Sequence, residues 1–389
     1  VLDICLIIIL LFLGFKAKYL FRHQLDKSDS KTLNLLWAYH LVICVAFYFY
    51  VLANGGDAIT YWTEFEVNPN MTMADYFSLG FGTYFMYVLN YIPSKLFELS
   101  FLTGSVAYAL LGYIGFLFFY VIFKQRIAFN SKLFQLNLFP FIFFLPNLHF
   151  WTAGVGKDTL MFFCIAIFFY AMQQPKKHLI KILLAMFLVY FTRPHIAAFL
   201  LLSFGIGYIL DGGLKVYVKI FFFIILVGAF VGFFDTIMLY LRIENFDLET
   251  ISSYSEDKVS KLSRSHTGTG VDISSYSFPL KVFTFLFRPL FFDVNGVLAI
   301  IASLENLLLL ILTAKFIWLN PIKLFFKASY FFKSLFIFFI LGVISFSLIL
   351  GNLGIMLRQK NMFIPALLFL CLWAFSYSIQ NRTANSGTP

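Results

Sequence analysis

The chain has 389 residues, of which 61% are hydrophobic and 12% charged, and its mean hydropathy is +0.86. A soluble domain carries about 25% charge, so this composition excludes an ordinary water-soluble fold. The net charge of +10 does not indicate nucleic acid, because Lys and Arg fall mostly in short segments between apolar runs, where they report topology.

Hydrocarbon offers no water to backbone groups, so such a chain crosses the bilayer as helices or as a closed barrel. Barrel strands alternate apolar and polar residues, whereas FFFIILVGAFVGFF at 221–234 does not alternate. The sequence therefore predicts an all-α polytopic membrane bundle, a single domain over 1–389 with about eleven transmembrane helices. In chain order they fall near 2–15, 33–52, 102–123, 133–150, 160–172, 179–191, 196–210, 216–239, 297–313, 334–350 and 363–377. Several are shorter than the ~20 residues that cross squarely, which predicts broken or tilted spans. The first run lacks a basic flank and a small-residue cleavage site, and reads as a retained helix. The 55 phenylalanines read as lipid-facing and inter-helix bulk.

Orientation follows from the basic residues. The segments 16–31, 124–132, 176–181, 215–219 and 315–333, with Arg382, hold eighteen of the 29 Lys and Arg. The acids Asp26 and Asp29 lie within these segments, and Asp211 stands just before the fourth. The positive-inside rule makes that side cytoplasmic. Two long segments are then extracytoplasmic, 53–100 and 240–281. The first carries GGDAITYW and an aromatic stretch suited to an outer-face interfacial helix. The second is polar and rich in Ser and Gly near its end. This arrangement requires 76–97 to lie on the outer face rather than cross.

Charged residues that remain at outer helix ends are the candidates for chemistry: Asp57 in GGDAITYW, Lys157 in AGVGKDT, Arg193 and His195 in FTRPHI, Arg288 in FLFRPLFF, and Arg358 with Lys360 in LRQKN. A charge at mid-bilayer depth costs about 2.5–3.5 kcal/mol on insertion scales, so its repetition in four loops calls for a gain. Converging guanidinium groups suit phosphate, because they donate planar pairs of hydrogen bonds. The bland reading stands beside this one: Arg193 and Arg288 precede proline, where an arginine also snorkels or caps freed carbonyls. GVGKDT lacks the Ser or Thr that a phosphate loop needs directly after Lys, since Asp158 stands there. Asp57 and His195 are the candidate bases. Tyr61 and Trp62 are candidate sugar-stacking rings. Glu305 is an intramembrane acid for which pairing with an arginine is the simplest account. His40, His149 and His266 have no ligand partners at metal spacing, and the four cysteines lie in apolar runs without a CxxC, so no metal site is predicted.

The run FLPNLHFWTAGVGKDTLMFF, then FTRPHIAAF, FLFRPLFFDVNGVLAIIASLENLLLL and LRQKNMF, resembles the O-antigen- and exopolysaccharide-polymerase-like (Wzy-type) membrane proteins of bacterial polysaccharide gene clusters. The resemblance covers 145–363 in order. It implies a multi-pass glycosyltransferase of the bacterial inner membrane, acting without cofactor or metal on polyprenyl-diphosphate-linked oligosaccharide at the outer face. Arg193, Arg288 and Arg358 then match the family's outer-face cations, and Lys157 and Lys360 join them as candidate diphosphate-binding residues from their places at outer helix ends. The implied partners are the lipid-linked substrate, the bilayer and other envelope-assembly proteins. GGDAITYW also resembles the first-loop acid of lipid-sugar-dependent glycosyltransferases, although here the loop follows the second span. A transporter or flippase of an anionic lipid-linked substrate, or a structural subunit of an envelope complex, are the rival readings.

Overall fold

The computed structural model describes residues 2–133, 135–211, 213, 215–241, 259, 269–294 and 296–386. Most of the extracytoplasmic segment predicted at 240–281 lies outside these residues. The described chain is helical apart from a short hairpin, Lys132–Leu133 with Leu136–Asn137, and an isolated bridge between Gly270 and Asn352. Among the described residues six helices are long and apolar enough to cross a membrane: Leu2–Phe21, Lys27–Asn54, Phe101–Arg126, Val297–Trp318, Tyr330–Ile349 and Ile364–Thr383. The protein is therefore all-α and membrane-embedded. The predicted count of eleven spans is not confirmed; the helices over the predicted spans 160–172, 179–191 and 196–210 have 16, 14 and 16 residues. Over the segment predicted to cross at 133–150, part of the hairpin and three short helical pieces replace a continuous helix, because Pro140 and Pro146 lack the N–H that a helix interior requires.

What the sequence reads as one domain gathers into two compact units, Val1–Arg126 with Lys132–Arg193, and Ile127–Ser131 with Pro194–Pro389. In the first unit the principal helices are α1 (Leu2–Ala17), α2 (Lys27–Asn54), α3 (Asp57–Val67), α4 (Met73–Ser78), α5 (Thr83–Asn90), α6 (Phe101–Arg126), α7 (Leu138–Phe141), α8 (Pro146–Phe150), α9 (Lys157–Met172) and α10 (Leu179–Thr192). α6 is central and packs against α1, α2 and α9. Its small residues permit this: a side chain at Gly112 would strike the Thr152 carbonyl, and one at Gly104 the Trp62 ring.

The two ends of α6 separate the charge patterns read from the sequence. At its C-terminal end Lys124 pairs with Asp26 at 2.8 Å and with Asp29, and Gln125 Nε2 donates to Gln24 Oε1 at 2.7 Å. Asp26 also caps α2 in a reciprocal box with Asp29. The bond from Lys124, then that from the Asp29 backbone, hold the Asp26 carboxyl down at about 2. At the N-terminal end, about 39 Å away along a 26-residue helix, Asp3 of α1 accepts from Ser100 N at 2.9 Å and from the Thr103 hydroxyl. Segments predicted cytoplasmic thus meet at one end of this unit, and segments predicted extracytoplasmic at the other.

The segment 53–100 folds as a cap of short helices. Gly55 and Gly56, at φ 70° and 124°, end α2 and turn the chain into α3. α3, α4, α5 and a π-helical turn at Tyr91–Leu96 then pack through edge-to-face pairs of Phe65 with Tyr76 and Tyr91. The longest of these helices has 11 residues, about 16 Å, too short to span.

In the second unit α11 (Pro194–Ile209) and α12 (Val216–Leu241) are followed by α13 (Phe278–Phe287), α14 (Val297–Trp318), α15 (Pro321–Lys327), α16 (Tyr330–Ile349), α17 (Leu353–Gln359) and α18 (Ile364–Ser386). α16 packs against α11, α13 and α18. Gly207 admits Ser334, and Gly342 admits the Phe363 ring. α13 stops at Arg288, whose following proline holds it in an extended conformation. Asn352 caps α17 by accepting from Ile355 N at 3.1 Å. Backbone bonds from Val271 to Gly351 and from Leu353 to Thr269, both 2.9 Å, tie the described end of the 240–281 segment to the start of α17.

Candidate functional site

The candidate residues fall into two sets, one in each unit. In the first unit Asp57 opens α3 and is exposed. A carboxylate there is favoured by the helix dipole. Tyr61 follows one turn later on the same face and is 3% exposed. Lys157 is the first residue of α9, where the dipole disfavours a cation. It is held there from outside the helix: its Nζ donates to Thr83 Oγ1 at 2.9 Å and lies 5.5 Å from the centre of the Tyr61 ring. The next residue, Asp158, accepts from Arg193 Nη2 at 2.7 Å, with both side chains buried. Arg193 is itself the C-cap of α10. Gly82 N donates to Phe191 O at 2.8 Å and fixes the start of α5 against the end of that helix. Tyr61, Lys157 and Arg193 are therefore brought together through α3, α5, α9 and α10. Trp62 is placed differently. Its indole nitrogen donates to Leu99 O at 2.8 Å and its ring lies on Gly104, so it serves as a packing anchor with no open face for a sugar.

In the second unit Arg288 forms a two-pronged pair with Asp293. Its Nε donates to Oδ2 at 2.9 Å and its Nη2 to Oδ1. Nη1 reaches the Tyr276 hydroxyl at 3.4 Å, and the Phe292 ring lies 5.5 Å from Cζ. The bond to Asp293 raises the guanidinium above its ordinary pKa. Burial pushes the Asp293 carboxyl up, but Arg288 and the Leu290 N–H outweigh it and the net shift is downward. Lys360 is fully buried; Nζ donates to Leu286 O at 3.0 Å and to Asn306 Oδ1. Asn306 donates in turn to Pro289 O at 2.8 Å. Arg288 and Lys360 thus converge on the turn 286–289. Burial pulls the Lys360 ammonium down to about 7, against the opposing charge of Glu305. Arg358 lies half-buried in the last turn of α17. His195 is half-buried in the first turn of α11, with its ring 5.8 Å from that of Phe346.

Arg193 and Arg288 thus each have a carboxylate of their own, which lowers the cost of placing them among apolar residues. The sequence reading had not assigned these partners. Asp293 stands five residues after Arg288 in FRPLFFD, and a search for the nearest counter-ion finds it. Asp158 lies 35 residues before Arg193 and carries no such local signal. A third unassigned pair is internal: His40 of α2 and His149 of α8 meet Nδ1 to Nδ1 at 2.7 Å, and His149 Nε2 lies 2.6 Å from Phe143 O. The His149 Nε2–H donates to that carbonyl, so its Nδ1 is the acceptor and the His40 Nδ1–H the donor. Among the described residues no group of three His, Cys, Asp or Glu is placed to hold a metal ion.

No protein-family model, curated protein or solved structure matches this chain.

Proposed function

We propose that this chain is a polysaccharide-assembly glycosyltransferase of the bacterial inner membrane, a polymerase that acts on polyprenyl-diphosphate-linked oligosaccharide at the extracytoplasmic face. The observation that carries the reading is Lys157. A cation at a helix N-terminus is electrostatically disfavoured, yet this one is steadied by Thr83 and Tyr61 beside the buried Asp158–Arg193 pair. Such preorganisation suits an anion that develops in the reaction, and it is what electrostatic catalysis requires.

In the proposed step an acceptor hydroxyl oxygen attacks the anomeric carbon of the lipid-linked sugar. The bond from that carbon to the diphosphate oxygen breaks, and its electron pair leaves with the diphosphate. Lys157 meets the departing charge. Arg193, held by Asp158 in the first unit, and Arg288, held by Asp293 within the second, each keep the guanidinium in a fixed plane. The acceptor proton passes to Asp57 or His195. Tyr61 supports Lys157 from the same face of α3 that carries Asp57. Arg358 is a further candidate cation within the second unit, where the buried Lys360 holds the turn 286–289.

The test is elongation by the purified protein in proteoliposomes supplied with lipid-linked repeat units. Longer glycan together with released polyprenyl diphosphate supports the reading. Movement of the lipid-linked unit across the bilayer without elongation favours a flippase instead, and neither outcome favours a structural subunit.

A further inference from the structure

The first unit contains a polar cavity of about 280 Å³ at the end opposite Asp57 and Lys157. Three separate segments build it: the turn after α1, the C-terminus of α6, and the link from α9 to α10. These are segments whose lysines and arginines mark the cytoplasmic side by the positive-inside rule.

Its walls form a chain of hydrogen bonds. Gln125 donates to Gln24 Oε1 at 2.7 Å, and Gln24 donates to the Tyr170 hydroxyl at 3.3 Å. As an acceptor in that bond, the Tyr170 hydroxyl keeps its own hydrogen to donate. Arg126 Nε donates to Gln173 Oε1 at 2.8 Å, which fixes the plane of the guanidinium. Gln174, Lys177 and His178 complete the lining, and Lys181 lies 5.3 Å from the Tyr170 ring centre. No lining residue is acidic. The nearby carboxylates Asp26 and Asp29 are both held by Lys124. Burial, then the charges of Lys181 and Lys177, hold His178 below its ordinary pKa.

We propose that this cavity is a cytoplasmic-side binding site for a phosphoryl group, carried on a small polar molecule or on a lipid headgroup. Several features favour a phosphoryl oxyanion over a carboxylate. Arginine and lysine cations, a tyrosine hydroxyl and glutamine amides converge, and a phosphoryl group offers three strong acceptor oxygens where a carboxylate offers two. The volume lies just under the range of small-molecule pockets, so the group fits with a compact remainder and no large one. The site is independent of the glycosyltransferase reading, since it shares no residue with the outer-end set.

The experiment uses the full chain in phosphatidylcholine nanodiscs titrated with inorganic phosphate by calorimetry, with a parallel arm in which phosphatidic acid is added to the discs. Saturable phosphate binding, weakened at least ten-fold in Arg126→Gln/Lys177→Gln but unchanged in Lys315→Gln, is expected if a soluble phosphoryl compound is the ligand. Phosphatidic acid that is retained through purification and displaces phosphate identifies a lipid headgroup instead. Should the double variant fail to fold, Lys177→Gln alone is used, because Lys177 is exposed at the rim. Absence of saturable binding in both arms, or binding indifferent to these substitutions, overturns the proposal.

Discussion

Arg193 and Asp158 form a buried ion pair, 2.7 Å between Nη2 and Oδ1, that joins the end of α10 to the first turn of α9. Removing one partner leaves the other charge buried and uncompensated, which costs about 3–5 kcal/mol. Asp158→Asn should therefore lower the thermal midpoint of the detergent-solubilised protein sharply. Asp158→Asn combined with Arg193→Gln should recover much of that loss, because no net charge is left behind. Equal midpoints for the single variant and the unaltered chain would show that the pair carries no structural weight.

A different substitution probes chemistry at the same positions. Arg193→Lys and Arg288→Lys keep the cation but lose the planar two-pronged donor. Each is expected to reduce glycan polymerisation at least ~10-fold, about 1.4 kcal/mol of transition-state stabilisation, with normal protein level in the membrane. Polymer length and lipid-linked repeat units measured in cells check this. Normal long polymer in both variants would remove the diphosphate role from these residues.

Asp57 stands exposed at the start of α3, on the face that carries Tyr61. Asp57→Asn removes a base without removing a cation. Turnover should stop while binding of the lipid-linked donor, followed by its co-purification, stays intact. Loss of donor binding instead would move Asp57 from proton transfer to substrate positioning.

Sidedness is checked with single cysteines after Cys5, the exposed native thiol, is replaced by alanine. Ser274→Cys and Ser78→Cys, both at exposed positions, should react with an impermeant maleimide from outside. Ser28→Cys, exposed at the start of α2, should react only after the membrane is opened. The reverse pattern would invert the placement of every candidate residue.

Lys360 provides a pH test. Burial lowers its folded-state pKa to about 7 from the ordinary lysine value of 10.5. Between these values the unfolded chain binds more protons than the folded one, so the residue's contribution to stability rises with pH across about 7 to 10.5. The difference in unfolding free energy between the unaltered chain and Lys360→Met should rise over that window and level off below pH 7. Methionine also leaves Leu286 O and Asn306 Oδ1 without this donor, a pH-independent loss that shifts the curve without tilting it. A flat difference would mean that Lys360 titrates in the folded protein as it does in water.

The legible part of this molecule is the part set by local pattern. Apolar runs located the long helices because a membrane helix must be apolar over its whole length, whatever its neighbours are. The 133–150 run misled for a local reason as well: its hydropathy suits a span, but Pro140 and Pro146 break the hydrogen-bond ladder. Pairings across distance left little trace. The partner of Arg193 is 35 residues away and that of His40 is 109 residues away, and nothing in either neighbourhood marks the match. Trp62 looked like a sugar platform because an aromatic ring beside a loop acid suits that task. The glycine that buries it, Gly104, stands 42 residues further on and is identifiable only once α6 is in place.

The bond between Asp3 and the start of α6 also sets an order of assembly. The acceptor is made first, and its donors, Ser100 and Thr103, are made 97 and 100 residues later. At about 5–20 residues per second, roughly 5–20 s of synthesis separates them. During that interval α1 is held by its apolar side chains and by the bond from Trp37 Nε1 to Leu11 O, with its acid confined to the first turn, where water and headgroups can still reach it. The contact then closes as a late latch, so a substitution at Ser100 or Thr103 acts on the docking of a helix already inserted rather than on its insertion.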